Sequence, residues 1–202
     1  MTRIVLVRHG QTEWNREQRF RGRTDVDLDE TGRAQALACA RAIAARWTPS
    51  AVFSSPLSRA VHTAEPIAAR CGLPVQTLDG LTDIDYGKWH GLTREEARAR
   101  WPELTEAWLR TPGRVAPPGG ESLQAIQGRL LESMKLLTRK HPDGTIVAVG
   151  HEVVNRVLIL AALGADLDCF FRLGQATGAI NVIEAGEDGL RAVVVNDTCH
   201  LA

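Results

Sequence analysis

Three short apolar runs end abruptly in polar residues, and this pattern limits the possible folds more than any other feature of the chain. Residues 4–7 (IVLV) lead straight into Arg8-His9-Gly10. Residues 51–53 (AVF) lead into Ser54-Ser55-Pro56, with Arg59 one turn into the segment that follows. Residues 145–149 (TIVAV) lead into Gly150-His151-Glu152. Short runs rich in β-branched residues and apolar on both faces read as buried strands. Longer stretches with apolar residues at helical spacing alternate with them. These are 29–47, where Thr31 can cap the start, 57–71, closed by Gly72, 121–141, and 153–163, closed by Gly164. Residues 74–78 read as extended. Residues 179–184 and 190–196 read as two more strands joined by the turn-forming AGEDG.

Alternating strands and helices imply an α/β fold, a three-layer α/β/α sandwich with a mostly parallel sheet. The last two strands would add an antiparallel edge. A length of 202 residues suits a single domain spanning 1–202. Residues 81–120 fit the alternation poorly. They hold Trp89, Trp101 and Trp108, several prolines and the sequence PPGG, and read as a lid-like excursion over the sheet. An exposed tryptophan face there would permit a homodimer.

Composition removes several function classes. Lys plus Arg and Asp plus Glu number 24 each, so no global field draws the chain to nucleic acid or a membrane surface. An anion site must therefore be built locally. The N-terminal apolar run is too short for a signal peptide or a membrane span, and a cytoplasmic protein is expected. Cys39, Cys71, Cys169 and Cys199 are scattered with no CxxC pair, which reads as reduced structural thiols. HEVVN has Asn155 where a zinc helix needs its second histidine, and DVDLDE has Glu30 where a calcium loop needs glycine. Neither a metal nor a cofactor is expected.

In an open α/β sheet, ligands bind beyond the carboxyl ends of the strands. If the three polar-ended strands are parallel neighbours, Arg8, Arg59, His9 and His151 converge there. Arginines offer planar bidentate donors for a phosphoryl group, and histidines offer a nucleophile and a partner for developing charge. Helix N-termini after two of the strands add partial positive charge.

LVRHGQTEWN at 6–15 resembles the signature of the histidine phosphatase superfamily, the phosphoglycerate-mutase-like proteins. RFRGRTDVDLDETGRAQA, SSPLSRAVHTA and GH at 150–151 resemble further family segments in the expected order, so the likeness spans the chain. The resemblance implies that His9 is the nucleophile and forms a phosphohistidine. It implies that Arg8, Arg59 and His151 bind the phosphoryl oxygens, with Asn15 and Thr12 adding phosphate and loop contacts, and Gln11 and Gly22 adding substrate contacts. LTDIDYGKWHG resembles the segment of the phosphatase branch that supplies a general acid. The family usually has glutamate where this chain has Asp83. Asp85, two residues on, is the alternative acid, and in an extended segment both would face one side. The expected partner is a small phosphorylated metabolite and the expected reaction is hydrolysis.

GGESL at 119–123 and the TCHL ending are similar to metal-independent phosphoserine phosphatases of this superfamily, in which reading His200 folds towards the substrate. GGESL is also found in α-ribazole phosphatases, and a broad-specificity phosphatase remains an alternative. A phosphoglycerate mutase or a non-catalytic phospholigand-binding module fits less well. Glu152 stands where the family prefers a small residue. It is expected to point away from the pocket as a favourable helix N-terminal residue. The alternative is that it repels dianionic or bulky substrates and narrows specificity. His62, one helical turn from Arg59, is expected to be structural.

Overall fold

The computed structural model describes every residue from 1 to 202. Strands β1 (Thr2–Arg8), β2 (Ala51–Ser54), β3 (Val75–Thr77), β4 (Thr145–Gly150), β5 (Ile180–Gly186) and β6 (Gly189–Asp197) form one sheet in the order β3-β2-β4-β1-β5-β6. The first four of that order run parallel, while β5 is antiparallel to β1 and β6 to β5. The three polar-ended strands are therefore adjacent. Val7 and Ser54 both lie opposite Val149, and Arg8 lies opposite Gly150. Their carboxyl ends finish at one level.

Alternation along β1 divides the sheet's two faces. Val5 and Val7 pack with Val147 and Val149 against Cys39, Ile43, Ala60 and Ile67. Those four come from α2 (Glu30–Arg46) and α3 (Ser58–Cys71), which cover that face. Ile4, Leu6, Ile146 and Ala148 pack on the opposite face, in a cluster with Leu130, Met134 and Val157. The helices there are α6 (Leu123–Lys140) and α7 (Glu152–Ala162). The result is the expected three-layer α/β/α arrangement, with its antiparallel edge.

Local signals set most element ends. Gly72 closes α3 in the left-handed conformation, φ 67°. Ser122 caps α6 by accepting from the Ala125 amide. The start of α2 differs from expectation. Asp29, not Thr31, is the cap, and its carboxylate accepts from the Gly32 amide at 2.8 Å. The carboxylate reaches the free amides of the first turn, and Thr31 already lies inside that turn. Beside it the β1 exit loop packs backbone to backbone, and a Cβ on Gly10 would lie 2.4 Å from the Gly32 carbonyl oxygen.

The segment 81–120 is no exposed tryptophan face. After the short α1 (Glu13–Arg16), the remaining helices α4 (Arg94–Arg100) and α5 (Pro102–Arg110) belong to this segment. Trp89 and Trp108 are buried, at 0% and 2% exposure, in the same cluster as Leu123, Ile126 and Phe170. Their indole rings meet edge to face at 6.0 Å. Trp14, Trp47 and Trp101 are partly covered. Burying large aromatic area is the main stabilisation such a loop-rich segment can obtain, so the tryptophans turn inward and give no ground for a homodimer.

Candidate active site

β1 carries Arg8 at its last position and His9 immediately after. The His9 amide donates to the Gly150 carbonyl at 3.0 Å, which ties the β1 and β4 ends together. His9 is fully buried and its Nδ1 lies 2.6 Å from the Gly10 carbonyl oxygen. A carbonyl can only accept, so Nδ1 carries the proton and the lone pair is on Nε2. Nε2 has no hydrogen-bond partner in the protein. Burial holds the imidazole well below the usual histidine range, reinforced by the positive charges of Arg59, Arg8 and Arg21. The ring is neutral at pH 7 and presents an unused lone pair.

His151 follows β4. Its ring centroid lies 5.1 Å from that of His9, and its Nε2 is 2.8 Å from Ser55 Oγ at the end of β2. Burial, then Arg59, keep this ring neutral too. Arg59, on the first turn of α3, is completely buried. It donates to the carbonyls of Gly22 at 2.7 Å and Thr24 at 2.9 Å, and to Asp83 Oδ2 at 3.2 Å. Arg8 donates to the Gln175 carbonyl and pairs with Glu152 at 2.9 Å. Burial lowers the Arg8 pKa to about 10, so its charge persists at neutral pH.

Of Arg8, His9, Arg59 and His151, Arg8 lines a cavity of about 400 Å³, while the other three are completely buried and do not line it. Arg8, Arg21, Arg94 and Arg156 line it together with Asp83 and Glu152. The Nε atoms of Arg8, Arg21, Arg59 and Arg156 are buried without a partner. A buried unsatisfied donor costs about 1–3 kcal/mol. An oxygen-rich anion would satisfy several at once, with the bidentate geometry that guanidinium groups favour.

The two carboxyl groups are driven in opposite directions. Burial raises the Asp83 pKa despite the opposing pull of Arg59 and Arg21. Burial also acts to raise Glu152, but Arg8, Arg156 and Arg21 outweigh it and hold that carboxyl below the usual range. Of the two, Asp83 is the one shifted towards its protonated form, and its Oδ2 stands 3.7 Å from His151 Nδ1. Asp85 turns elsewhere. Its Oδ1 accepts from the Gly87 amide at 2.8 Å, and its carboxylate lies 3.8 Å from Arg23 and from His90. The two carboxylates have different partners, because residues 82–86 form no strand and Asp83 reaches Arg59 while Asp85 reaches the Gly87 amide.

The other sequence-derived candidates divide. Asn15 lines the cavity, and its Oδ1 is held by the amide and hydroxyl of Thr12 at 3.0 and 2.9 Å. Thr12 itself is buried behind it. Gly22 lines the cavity at φ 47°, and a Cβ there would lie 2.6 Å from the Ile84 carbonyl oxygen. Gln11 instead joins the loop to α2, through Asp29 at 3.0 Å and Gln35 at 2.9 Å. His200 does not line the cavity. The tail forms a short turn, and His200 Nε2 is 3.0 Å from the Gly178 carbonyl and 3.4 Å from Cys39 Sγ. His62 pairs with Asp27 at the surface.

Glu152 does not point away. Its carboxylate lies 2.9 Å from Arg8, 2.9 Å from Arg156 and 3.9 Å from Arg21. Three guanidinium groups attract it far more strongly than a helix dipole alone can. Sequence reasoning missed Arg21, Arg94 and Arg156. Only Arg156 had a local signal, standing four residues after Glu152 on one helix face. The outer wall of the cavity is apolar, from Trp108, Phe170 and Phe171, with the Arg156 guanidinium 5.0 Å from the Phe170 ring centre.

Known proteins are similar to this chain in sequence and fold. The sequence profile described as histidine phosphatase superfamily (branch 1) matches residues 4–198. Phosphoserine phosphatase 1 of Hydrogenobacter thermophilus is 35% identical over 201 residues, covering 100% of this chain and 95% of its own. A bifunctional protein of Mycobacterium tuberculosis is 36% identical over 201 residues, and this chain spans about half of it, 55%. The structure of Bacillus stearothermophilus YhfR superposes with a TM-score of 0.94 at 29% identity and full coverage of both chains. With the expected motifs in order and the matching fold around them, the chain belongs to the histidine phosphatase superfamily, branch 1, and is a phosphoric monoester hydrolase.

Proposed function

We propose that the chain hydrolyses small phosphomonoesters through a phosphohistidine on His9, and that phosphoserine is its favoured substrate. The observation that carries the reaction is the neutral, buried His9 with an unpartnered Nε2 among arginines.

The ester's phosphoryl oxygens bind Arg8, Arg59 and His151, and the His9 Nε2 lone pair attacks phosphorus. The P–O bond to the leaving group breaks as the P–N bond forms. Protonated Asp83 gives its proton to the leaving oxygen and becomes a carboxylate. The arginines neutralise charge on the equatorial oxygens. In the second half, Asp83 takes a proton from water as that water attacks phosphorus. The P–N bond breaks, inorganic phosphate leaves, and His9 and Asp83 return to their starting states. The Nδ1–H bond to the Gly10 carbonyl holds the imidazole in one tautomer through both steps.

Phosphoserine is supported by the end-to-end similarity to a relative named for that activity. The test is phosphate release, with chelator present, from phosphoserine, phosphothreonine, α-ribazole phosphate, 3-phosphoglycerate and an aryl phosphate. A clear preference for phosphoserine supports the reading. Even rates across the panel overturn the substrate choice alone. Isomerisation of 3-phosphoglycerate without phosphate release overturns the hydrolytic reading.

A further inference from the structure

Glu152 stands between the two ends of the cavity. One carboxylate oxygen touches Arg8, beside the nucleophile, and approaches Arg21, while the other touches Arg156 near the aromatic wall. The side chain retains 28% exposure, so its charge faces the space where a leaving group must sit. The outer arginines could otherwise hold an anionic leaving group. Glu152 already occupies two of them.

We infer that Glu152 fixes the charge the leaving group can carry, admitting neutral or zwitterionic alcohols over anionic ones. The inference rests on the phosphatase reading above. Phosphoserine and 3-phosphoglycerate provide the matched pair. Both carry a carboxylate at the same distance from the phosphate, and they differ in an ammonium against a hydroxyl. The serine end is neutral overall, because its ammonium balances its own carboxylate. The glycerate end is an uncompensated anion and must compete with Glu152 for Arg21 and Arg156. In a partly desolvated cavity, one unit charge at this range shifts the balance by about tenfold or more.

The experiment compares kcat/KM for the two substrates in the unaltered protein, Glu152→Gln and Glu152→Asp. Glu152→Gln is expected to lower the phosphoserine to 3-phosphoglycerate ratio by about tenfold, chiefly by raising activity on 3-phosphoglycerate. Glu152→Asp keeps the charge and keeps most of the ratio. A ratio unmoved in Glu152→Gln, while an aryl phosphate is still hydrolysed, overturns this inference and leaves the phosphatase reading standing. Absence of hydrolysis of every ester by the unaltered protein overturns the phosphatase reading itself. If Glu152→Gln gives no folded protein, the unaltered protein decides. Glycerol 3-phosphate, which replaces the carboxylate of 3-phosphoglycerate with a neutral hydroxymethyl group, must then be the better substrate of the two, and a preference for 3-phosphoglycerate overturns the inference.

Discussion

The inner part of the site gathers at strand ends, where Arg8 alone of its four residues lines the cavity, and the outer part is made by side chains from separate segments. Arg8, His9 and His151 stand on or just after β1 and β4, and Arg59 on the first turn of α3 that follows β2; the register holds the three strand ends level. Arg21, Arg94, Trp108, Arg156 and Phe170 arrive from the loop after α1, from α4 and α5, from α7 and from the turn after it. In the proposed reaction the inner side meets the phosphoryl group that all substrates share. The outer side sees what differs between them. Damage inside should therefore cost every substrate alike, and damage outside should re-rank substrates.

The largest expected effect is inside. His9→Ala removes the only group positioned to form the intermediate, and turnover of every ester should fall by about 10⁵-fold or more in steady-state assays. A loss confined to some substrates would break the division.

Asp83 joins the two sides and should behave accordingly. Asp83→Asn should cost about 10²- to 10⁴-fold with alkyl phosphates, whose leaving oxygen needs a proton. It should cost much less with aryl phosphates. The pH profile sharpens this point. Burial raises the Asp83 pKa, and the active form is protonated. Alkyl phosphate kcat/KM should be highest below that pKa and fall as pH rises through it. The Asn variant should lose this limb of the profile.

Outside, Arg156→Ala should raise KM about tenfold for 3-phosphoglycerate, by leaving the Glu152 carboxylate less compensated opposite an anionic leaving group, and change the aryl phosphate KM much less. Equal changes for both would mean that Arg156 serves the phosphoryl group. The smallest effect belongs to His200. It bonds Gly178 and Cys39 away from the cavity, so His200→Ala should change kcat/KM for phosphoserine by no more than about twofold, within the range of an indirect contact. A large, phosphoserine-specific loss would return the tail to the substrate site.

The same division explains what could be read from the sequence. Strands buried on both faces must be apolar throughout, so IVLV and TIVAV announce themselves and mark the polar residues at their ends as site residues. The outer side leaves no such trace. Trp89 and Trp108 look like an exposed lid until α6 and the Phe170 turn close over them. Glu152 looks like an ordinary helix start, because Arg8, Arg21 and Arg156 meet only in the folded chain. Asp83 and Asp85 could not be separated by spacing alone. Arg59 holds one, and the Gly87 amide holds the other.

The most direct measurement is to trap the intermediate. Rapid mixing with an aryl phosphate, followed by quenching under conditions that preserve phosphohistidine and by peptide mass spectrometry, would locate the phosphoryl group. One group on His9, formed and lost at rates compatible with turnover, is the expected result. A phosphoryl group on another residue, or full turnover with His9 replaced, would contradict it.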